Sequence, residues 1–424
     1  MVWHSAAAPA VSVSRSLRRL CAIGSIVAIG AICGCAPPPS PKPVPPAPVL
    51  RPLPSATQPT HPLLGDRTGF LRLGNMEPGR TPLRIGVLLP FSSGSATTRS
   101  LASSMMKAAA MALFDRKNPD LVLISADEGS GGKAAIAGAQ TLMAQGAEVI
   151  VGPLFAQSVS AVAPFTRDHG VPLISFSTDR GIAGDGVYLL SFQPENEVQR
   201  IVRYAAAQGH SAFAALIPAT VYGAHVAQAF QESVKTAAGH VVGMERFTPA
   251  SGDIAAPAQK IAQSHPDAIL IAQGGTLLVN IAPTLAADGA GNQRVQYLGT
   301  GLWDDPATLR ETSLAGGWFA APDPDAKRNF DARFRAAYGA SPQALASLAY
   351  DAVSLVSVLA SGTPYHRFTA QALTDPNGFS GVDGIFRFDP DGTSEHGLAV
   401  LSIRPGGGAT ILSPAPTTFL GSAS

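Results

Sequence analysis

Residues that could do chemistry are present, but their spacing completes no enzyme's catalytic set. Residues 104–107 read S-M-M-K, which fits the S-x-x-K pattern of penicillin-interacting enzymes. The K-T-G element of those enzymes is missing, because Lys235-Thr236 is followed by Ala237. Residues 129–133 lack the spacing and hydroxyl residue of a phosphate-binding loop, and the nine histidines show no paired metal-ligand spacing. We therefore expect no enzyme activity, no cofactor and no metal site.

Composition narrows the class of partner. The chain has 424 residues, enough for two ordinary domains, and 46% of them are hydrophobic. Its 30 basic residues are balanced by 29 acidic ones, which leaves a formal net charge of +1. A balanced chain with no basic run gives no field to hold a nucleic acid, so we expect no nucleic-acid partner.

The first 34 residues have the pattern of a secretory signal peptide. An apolar run at 20–32 is preceded by three arginines, Arg15, Arg18 and Arg19. That run is short for a bilayer span but suits the apolar region of a cleavable signal. An uncleaved N-terminal membrane helix is the alternative interpretation.

The end of this run, Ile32-Cys33-Gly34-Cys35, resembles a bacterial lipobox, in which the last cysteine is lipidated. Cys33 is the weaker candidate because bulky Ile32 precedes it. Since two or more acyl chains anchor a protein stably, we expect Cys35 to hold the mature chain on a membrane. Ala36 rather than Asp follows it, which favours the outer membrane by resemblance to enterobacterial sorting.

Proline dominates the segment that follows Cys35. Prolines stay dense as far as Pro62, and proline fixes an extended backbone. We interpret residues 35–82 as a tether, which at about 3.1 Å per residue could hold the body on the order of 100 Å from the membrane. The alternative is that this segment is a docking site for a protein that binds proline-rich motifs. Residues 413–424 are expected to be a tail.

The body alternates apolar strands with helical segments, and the pattern occurs twice. Alternation of this kind predicts parallel sheets covered by helices on both faces. The first set of strands is expected at 83–90, 121–126, 148–153 and 171–176, and the second at 212–217, 241–247, 267–272 and 295–300. Later segments predict a strand at 316–321, a mostly helical stretch at 330–360 and strands at 381–389 and 397–404.

The order of several short segments resembles the type I periplasmic binding proteins of the leucine-binding superfamily. The segments are I-G-V-L-L-P-F at 85–91, G-P at 152–153, V-P-L-I-S at 171–175, Y-G at 222–223, D-A-I-L at 267–270, A-Y-D-A-V at 349–353 and G-V-D-G at 381–384. The resemblance runs from about 83 to 412. It implies an α/β fold with two lobes, each a parallel sheet flanked by helices, and three inter-lobe crossovers.

The same resemblance sets the expected lobe boundaries. Lobe one would comprise 83–194 plus 323–388, and lobe two 195–322 plus 395–412. A small molecule would bind in the inter-lobe cleft, at the carboxyl ends of the strands, and the hinge would close on it.

A closer resemblance is to the LpoA-type penicillin-binding-protein activator lipoproteins. It rests on residues 146–159, 176–180 and 188–195. It implies a regulator of peptidoglycan synthesis whose partner is a bifunctional penicillin-binding protein. The helical domain that precedes this module in enterobacterial members is replaced here by the proline tether. The alternative is a receptor for a branched-chain amino-acid-type ABC transporter, or a small-molecule sensor.

The superfamily resemblance also suggests residues of the cleft on lobe one. Ser158 matches a serine that binds the ligand's carboxylate in amino-acid receptors, and free amides at a helix start suit an anion. Ser177 and Thr178 match the second part of that site. The alternatives are that Ser158 only caps a helix and that Ser177 and Thr178 only form a turn.

On lobe two the resemblance suggests Tyr222 as an aromatic contact, and the alternative is a tyrosine that packs at a helix start. Phe155, Phe176 and Trp303 could also line the cleft, with buried core roles favoured for the two phenylalanines. The receptors also place an acid after the last strand of this sheet, and here the matching residues are Gly301 or Leu302. Asp304 could substitute, or it could cap a following helix. The missing acid argues against a free amino acid as the ligand.

Overall fold

A computed structural model describes residues 70–75 and 81–419. The expected signal peptide at 1–34, the lipidation candidate Cys35 and most of the tether at 35–82 lie outside the described residues. Within the part of the chain that is described, no helix has the length and apolar character that crossing a membrane requires.

Lobe one contains a six-stranded sheet with helices on both faces. Its elements are β1 (Phe70–Arg72), β2 (Leu83–Leu89), α1 (Ala96–Arg116), β3 (Leu121–Asp127), α2 (Gly132–Ala144), β4 (Val149–Val151), α3 (Ala156–Asp168), β5 (Leu173–Ser175) and β6 (Val187–Leu189). The strand order is β1-β3-β2-β4-β5-β6. Strands β2 to β6 are parallel, as the alternating pattern predicts, and β1 joins β3 antiparallel.

The β1 strand corrects the expectation that residues 35–82 are only a tether. Phe70 packs against the core on one face of the sheet, and Leu71 packs against the core on the other. Neighbouring residues of a strand point to opposite faces, so this short segment contributes to both layers.

Lobe two begins directly after β6. Its elements are α4 (Pro194–Ala207), β7 (Ala212–Pro218), α5 (Val221–Thr236), β8 (His240–Phe247), α6 (Ala255–Gln263), β9 (Ala268–Ile271), α7 (Gly275–Ala287), β10 (Gln296–Gly299) and β11 (Trp318–Ala321). The chain then returns to lobe one, where α8 and α9 pack against α1. This segment comprises α8 (Pro324–Tyr338), α9 (Ala346–Leu359), α10 (Ala370–Leu373), β12 (Phe379–Gly381), β13 (Gly384–Phe388) and β14 (Ser394–His396).

Two last strands complete lobe two, β15 (Ala399–Ile403) and β16 (Ala409–Ser413). The strand order of this sheet is β16-β15-β11-β10-β9-β7-β8, and β15 and β16 are antiparallel additions. The two-lobed α/β fold with three crossovers is confirmed, and its sheets are mixed at their edges. The residue range expected as a tail is partly structured, because Ser413 belongs to β16 and the ring of Phe419 lies 4.6 Å from the Arg387 guanidinium.

The S-x-x-K pattern in α1 has a packing role. The hydroxyl of buried Ser104 accepts a hydrogen bond of 2.9 Å from the amide of Gln343. Lys107 is exposed, and its ammonium lies 5.7 Å from the centre of the Tyr338 ring. These contacts hold the segment around α8 and α9 on lobe one.

A buried carboxyl explains two of the short sequence motifs together. Asp351 in α9 accepts a hydrogen bond of 2.8 Å from the amide of Val382, in the turn between β12 and β13. A side chain on Gly381 would lie 2.2 Å from the Asp351 carboxyl, so only glycine fits there. Burial and the neighbouring carboxyl of Asp383 raise the pKa of Asp351. The A-Y-D-A and G-V-D-G motifs are therefore two halves of one contact.

The first and third crossovers meet at a buried histidine. His396, at the end of β14, has ring contacts with Phe192 of the first crossover at 4.8 Å and with Phe386 at 5.8 Å. Neither ring nitrogen has a hydrogen-bond partner among the described residues. Burial lowers the pKa of His396 to about 4, so its ring is neutral near pH 7.

Replacing His396 by Phe should flatten the acid side of the stability profile. The unfolded chain binds a proton at residue 396 below pH 6.5, whereas the folded protein excludes it until pH falls to about 4. Stability is therefore lost as pH falls through this window, by about 3 kcal/mol in total at 1.36 kcal/mol per pH unit.

The measurement is urea unfolding across this pH range, with His240→Phe at an exposed histidine as the matched control. Wild type and His396→Phe should diverge below pH 6.5, and the control should follow wild type. Parallel pH profiles for wild type and His396→Phe would show that the buried ring does not resist protonation.

Candidate functional site

Ligands of open parallel sheets bind beyond the carboxyl ends of the strands, and here both lobes present such loops. We define the lobe-one lip as residues 127–129, 152–158 and 176–178, and the lobe-two lip as residues 219–223, 272–275 and 300–304. The lobe-one lip follows the carboxyl ends of β3, β4 and β5, and the lobe-two lip follows those of β7, β9 and β10.

On the lobe-one lip, Ser158 faces a carboxylate of the chain itself. Ser158 is buried and its hydroxyl hydrogen-bonds to the carboxyl of Glu128, which follows β3. The same carboxyl accepts the amides of Leu154 at 2.8 Å and Phe155 at 3.0 Å. Burial raises the pKa of Glu128, and these donors oppose that rise.

The Glu128 carboxyl therefore lies where a bound anion was expected, at the start of α3. A helix N-terminus favours one negative charge, and Glu128 supplies it from within the chain. A second carboxylate placed beside it would be repelled, most strongly where water is excluded. Sequence reasoning missed Glu128, although an acid directly after a buried strand was the available signal.

The second expected part of the lobe-one site is divided between two environments. Ser177 is buried, and its hydroxyl accepts the amide of Asp179 at 3.1 Å, as the turn interpretation holds. Its carbonyl accepts the hydroxyl of Ser191, which in turn accepts the side-chain amide of Gln193. Thr178 is exposed. The lip is thus connected to the first crossover through Ser177, and Thr178 points to solvent.

On the lobe-two lip, Tyr222 and the end of β10 are in contact. The Tyr222 hydroxyl lies 2.9 Å from the hydroxyl of Thr300. The ring is half-buried at the start of α5, where Thr220 caps the helix through the amide of Gly223 at 3.1 Å. Burial raises the pKa of Tyr222, so its phenol stays protonated and can donate or accept one hydrogen bond.

Trp303 is a core residue, which corrects its assignment to the cleft. Its side chain is fully buried. The indole N–H is shared by the carbonyls of Ile271 at 3.2 Å and Gln273 at 3.1 Å. A large amphipathic ring follows the strand end here, but its N–H is satisfied inside lobe two.

Asp304 is not the N-cap of the helical turn that follows it. That turn comprises residues 308–310, and the side chain that accepts amides before it is Asp305, from Ala307 at 3.1 Å and Thr308 at 2.9 Å. Burial raises the pKa of Asp304, and the charge of Lys327 lowers it. The alternative that Asp304 caps a following helix is therefore wrong.

An acid does reach the end of β10, and it comes from α4. Glu197 is only 7% exposed, and one of its carboxyl oxygens accepts the Gly301 amide at 3.1 Å. A side chain on Gly301 would lie 2.6 Å from the other oxygen, so Glu197 fills the space that glycine leaves. Burial raises the pKa of Glu197 to about 7, and the nearby Glu195 contributes. Sequence reasoning missed it because residues 197 and 301 meet only in the tertiary fold.

Glu195 extends this group of polar side chains. One of its oxygens lies 3.1 Å from the ring nitrogen of His225 on α5. The other oxygen is buried and has no hydrogen-bond partner within the described chain. Two carboxyls, an imidazole and the Tyr222 phenol therefore lie around the start of α4. In residues 70–75 and 81–419, no three His, Cys, Asp or Glu side chains are grouped as metal ligands would be.

A family model described as "Periplasmic binding protein" matches residues 82–409 of the chain. The chain belongs to the periplasmic binding protein family. This membership covers both lobes and implies a periplasmic location. Proteins of this family are binding proteins rather than enzymes.

Solved structures show the same fold. A putative branched-chain amino acid ABC transporter protein from Rhodospirillum rubrum matches with a TM-score of 0.70 and 20% identity, over 78% of this chain and 100% of that one. The substrate-binding protein LivJ from Streptococcus pneumoniae in complex with isoleucine matches with a TM-score of 0.56 and 22% identity, over 78% and 100% of the two chains. A Rhodopseudomonas palustris solute-binding protein in complex with benzoate has a TM-score of 0.56 and 18% identity, over 79% and 97%.

Among curated proteins, an uncharacterized protein from Rickettsia prowazekii (strain Madrid E) is 24% identical over 149 residues. The match spans 35% of this chain and 39% of the length of that relative. The superfamily resemblance of the sequence is confirmed by these comparisons. The closer resemblance to penicillin-binding-protein activators stays a prediction.

The buried Glu197 carboxyl should make the protein less stable as pH rises. Its pKa is about 7 in the folded protein against an ordinary value of 4.5, so folding favours the protonated form. This contribution is complete below pH 4.5 and is lost as pH rises to about 7, by about 3 kcal/mol at 1.36 kcal/mol per pH unit. Glu197→Gln stays neutral and should escape this loss.

Urea unfolding at about pH 4 and about pH 8 measures the effect, with Glu232→Gln on the exposed side of α5 as the control. Relative to wild type, the free energy of unfolding of Glu197→Gln should be higher at about pH 8 than at about pH 4. That of Glu232→Gln should not change relative to wild type. An unchanged difference between wild type and Glu197→Gln would contradict the assigned burial.

Proposed function

We propose that the protein is a periplasmic solute receptor that binds a small molecule between its lobes. The observation that carries this proposal is the position of exposed apolar side chains. Phe155 on the lobe-one lip is 41% exposed, and Val221 and Leu302 on the lobe-two lip are 78% and 45% exposed. Ligand pockets are lined mainly by apolar side chains, and exposed apolar groups on both lips are what a small-molecule site would present.

Closure of the lobes would bury these side chains against a ligand. The lobes are joined by three crossovers, near residues 190–193, 322–323 and 397–398. Short connections of this kind allow hinge motion, and burial of apolar surface favours the closed form. The structural neighbours described as ABC transporter proteins are consistent with this function, and they support the receptor better than the regulator.

A panel of small molecules tests the receptor function by thermal unfolding of the full chain in detergent. A ligand at about 100 times its dissociation constant stabilises the native state by about 2.7 kcal/mol, which raises Tm by several degrees. The double variant Phe155→Ser and Leu302→Ser should lose most of that shift. Failure of every compound in a panel of amino acids, amines, organic acids and sugars would argue against a receptor.

The second candidate is an activator of a bifunctional penicillin-binding protein. The observation that favours it is the Glu128 carboxyl, which satisfies the start of α3 without any ligand. The sequence stretches that resemble the activators, 146–159 and 176–180, include most of the same lip. A regulator that acts through protein contacts would need no anion there.

Affinity capture of the tethered protein from envelope extract separates the two candidates. We expect the permease components of an ABC transporter, and recovery of a penicillin-binding protein would favour the activator instead.

We also propose that lipid on Cys35 anchors the chain, with the outer membrane favoured by Ala36. Cys35→Ala should then leave the membrane fraction, and retention of that variant would contradict lipid anchoring.

A further inference from the structure

The first turn of α4 contains a buried carboxyl that has no positive partner among residues 70–75 and 81–419. Glu197 is more than nine-tenths buried, and within the described chain its one hydrogen bond comes from the Gly301 amide. The charged neighbour that affects it is Glu195, which repels it. Burying a carboxyl without a cation is costly, so a group with positive charge would be stabilised beside it.

Two further acceptors at the start of α4 lack donors in the part of the chain that the structure describes. Glu195 has one buried oxygen with no hydrogen bond, counting the residues that the structure describes. The side-chain oxygen of Gln193 also has no hydrogen bond among these residues, and Gln193 is only 1% exposed. Its nitrogen donates to Ser191, which is joined to Ser177 of the lobe-one lip. The oxygens of Gln193 and Glu195 that lack donors therefore lie at the first crossover, where the chain passes from lobe one to lobe two.

These acceptors define the chemistry of what they would bind. Buried acceptors without donors favour a ligand group that brings several N–H donors, and a protonated amine brings three. The opposite side of the cleft disfavours an anion, because the Glu128 carboxyl already takes the Leu154 and Phe155 amides and the Ser158 hydroxyl. The exposed apolar side chains of the two lips suit an apolar ligand body.

We propose that the cleft binds an organic amine that has an apolar body and no free carboxylate, with its ammonium held by Glu197 and Glu195. This inference rests on the receptor function proposed above. The apolar body lies between Phe155 of the lobe-one lip and Leu302 of the lobe-two lip.

Two matched series of probes test the ligand class by calorimetric titration of the full chain. The first is isoamylamine, leucine and isocaproate, and the second is phenethylamine, phenylalanine and hydrocinnamate. Each series keeps one apolar body and presents an amine, an amino acid or an acid. In at least one series the amine should bind at least about tenfold more tightly than the amino acid, and the acid should not bind.

Variants connect the amine to the carboxyls. Glu197→Gln and Glu195→Gln should each weaken amine binding at least about tenfold, and Glu232→Gln, an exposed residue on α5, should leave it unchanged. Thermal unfolding of each variant shows whether it is folded. If Glu197→Gln does not fold, Glu195→Gln provides the binding test.

Each outcome is decisive for the amine inference. Tighter binding of an amino acid or an acid overturns it and leaves the receptor function standing. Amine binding that survives both substitutions also overturns it. If none of the six probes binds, the amine inference fails, and the wider panel decides separately whether the protein is a receptor.

Discussion

The carboxyl group of Glu197 is buried at the end of β10, and the chemistry of the lobe-two lip depends on it. Among the described residues it accepts a hydrogen bond from one amide and has no cation beside it. It fills the space that Gly301 leaves open and lies beside Glu195 and Tyr222. A carboxyl in this position is tolerated because it lies in the first turn of α4, where the helix dipole favours negative charge. Among the described residues it has one donor, and a ligand is one explanation for a buried polar group that lacks partners.

Lobe one presents the opposite situation with the same functional group. Glu128 is also buried, but two amides and a hydroxyl satisfy it. The two lips therefore differ: Glu128 already accepts the amides at the start of α3 on lobe one, whereas buried acceptors near the lobe-two lip have no donor among the described residues. The cleft favours positive charge and disfavours a carboxylate, a polarity that neither lobe would give alone. Three crossovers join the lobes, and the buried His396, next to the third, packs against Phe192 of the first.

The fold could be predicted from sequence because its strands are short apolar runs at regular spacing. The motifs around Asp351 and Gly381 carried the superfamily resemblance, and one buried contact explains both. The site could be predicted only in part. Tyr222 lies on the expected lip, but Trp303 is core, because the local pattern does not show where its N–H finds partners. Glu197 was missed because its partner is more than a hundred residues away in sequence, and a single chain gives no signal for such a pair.

The central claim is that the cleft takes a cationic ligand without a carboxylate. Native mass spectrometry of the full chain, purified from its own envelope without denaturation, tests this most directly by identifying what remains bound. The account predicts a bound small molecule that contains a basic nitrogen and no carboxylate, and predicts its loss from Glu197→Gln. A bound amino acid or organic acid, or an amine retained equally by Glu197→Gln, would contradict it.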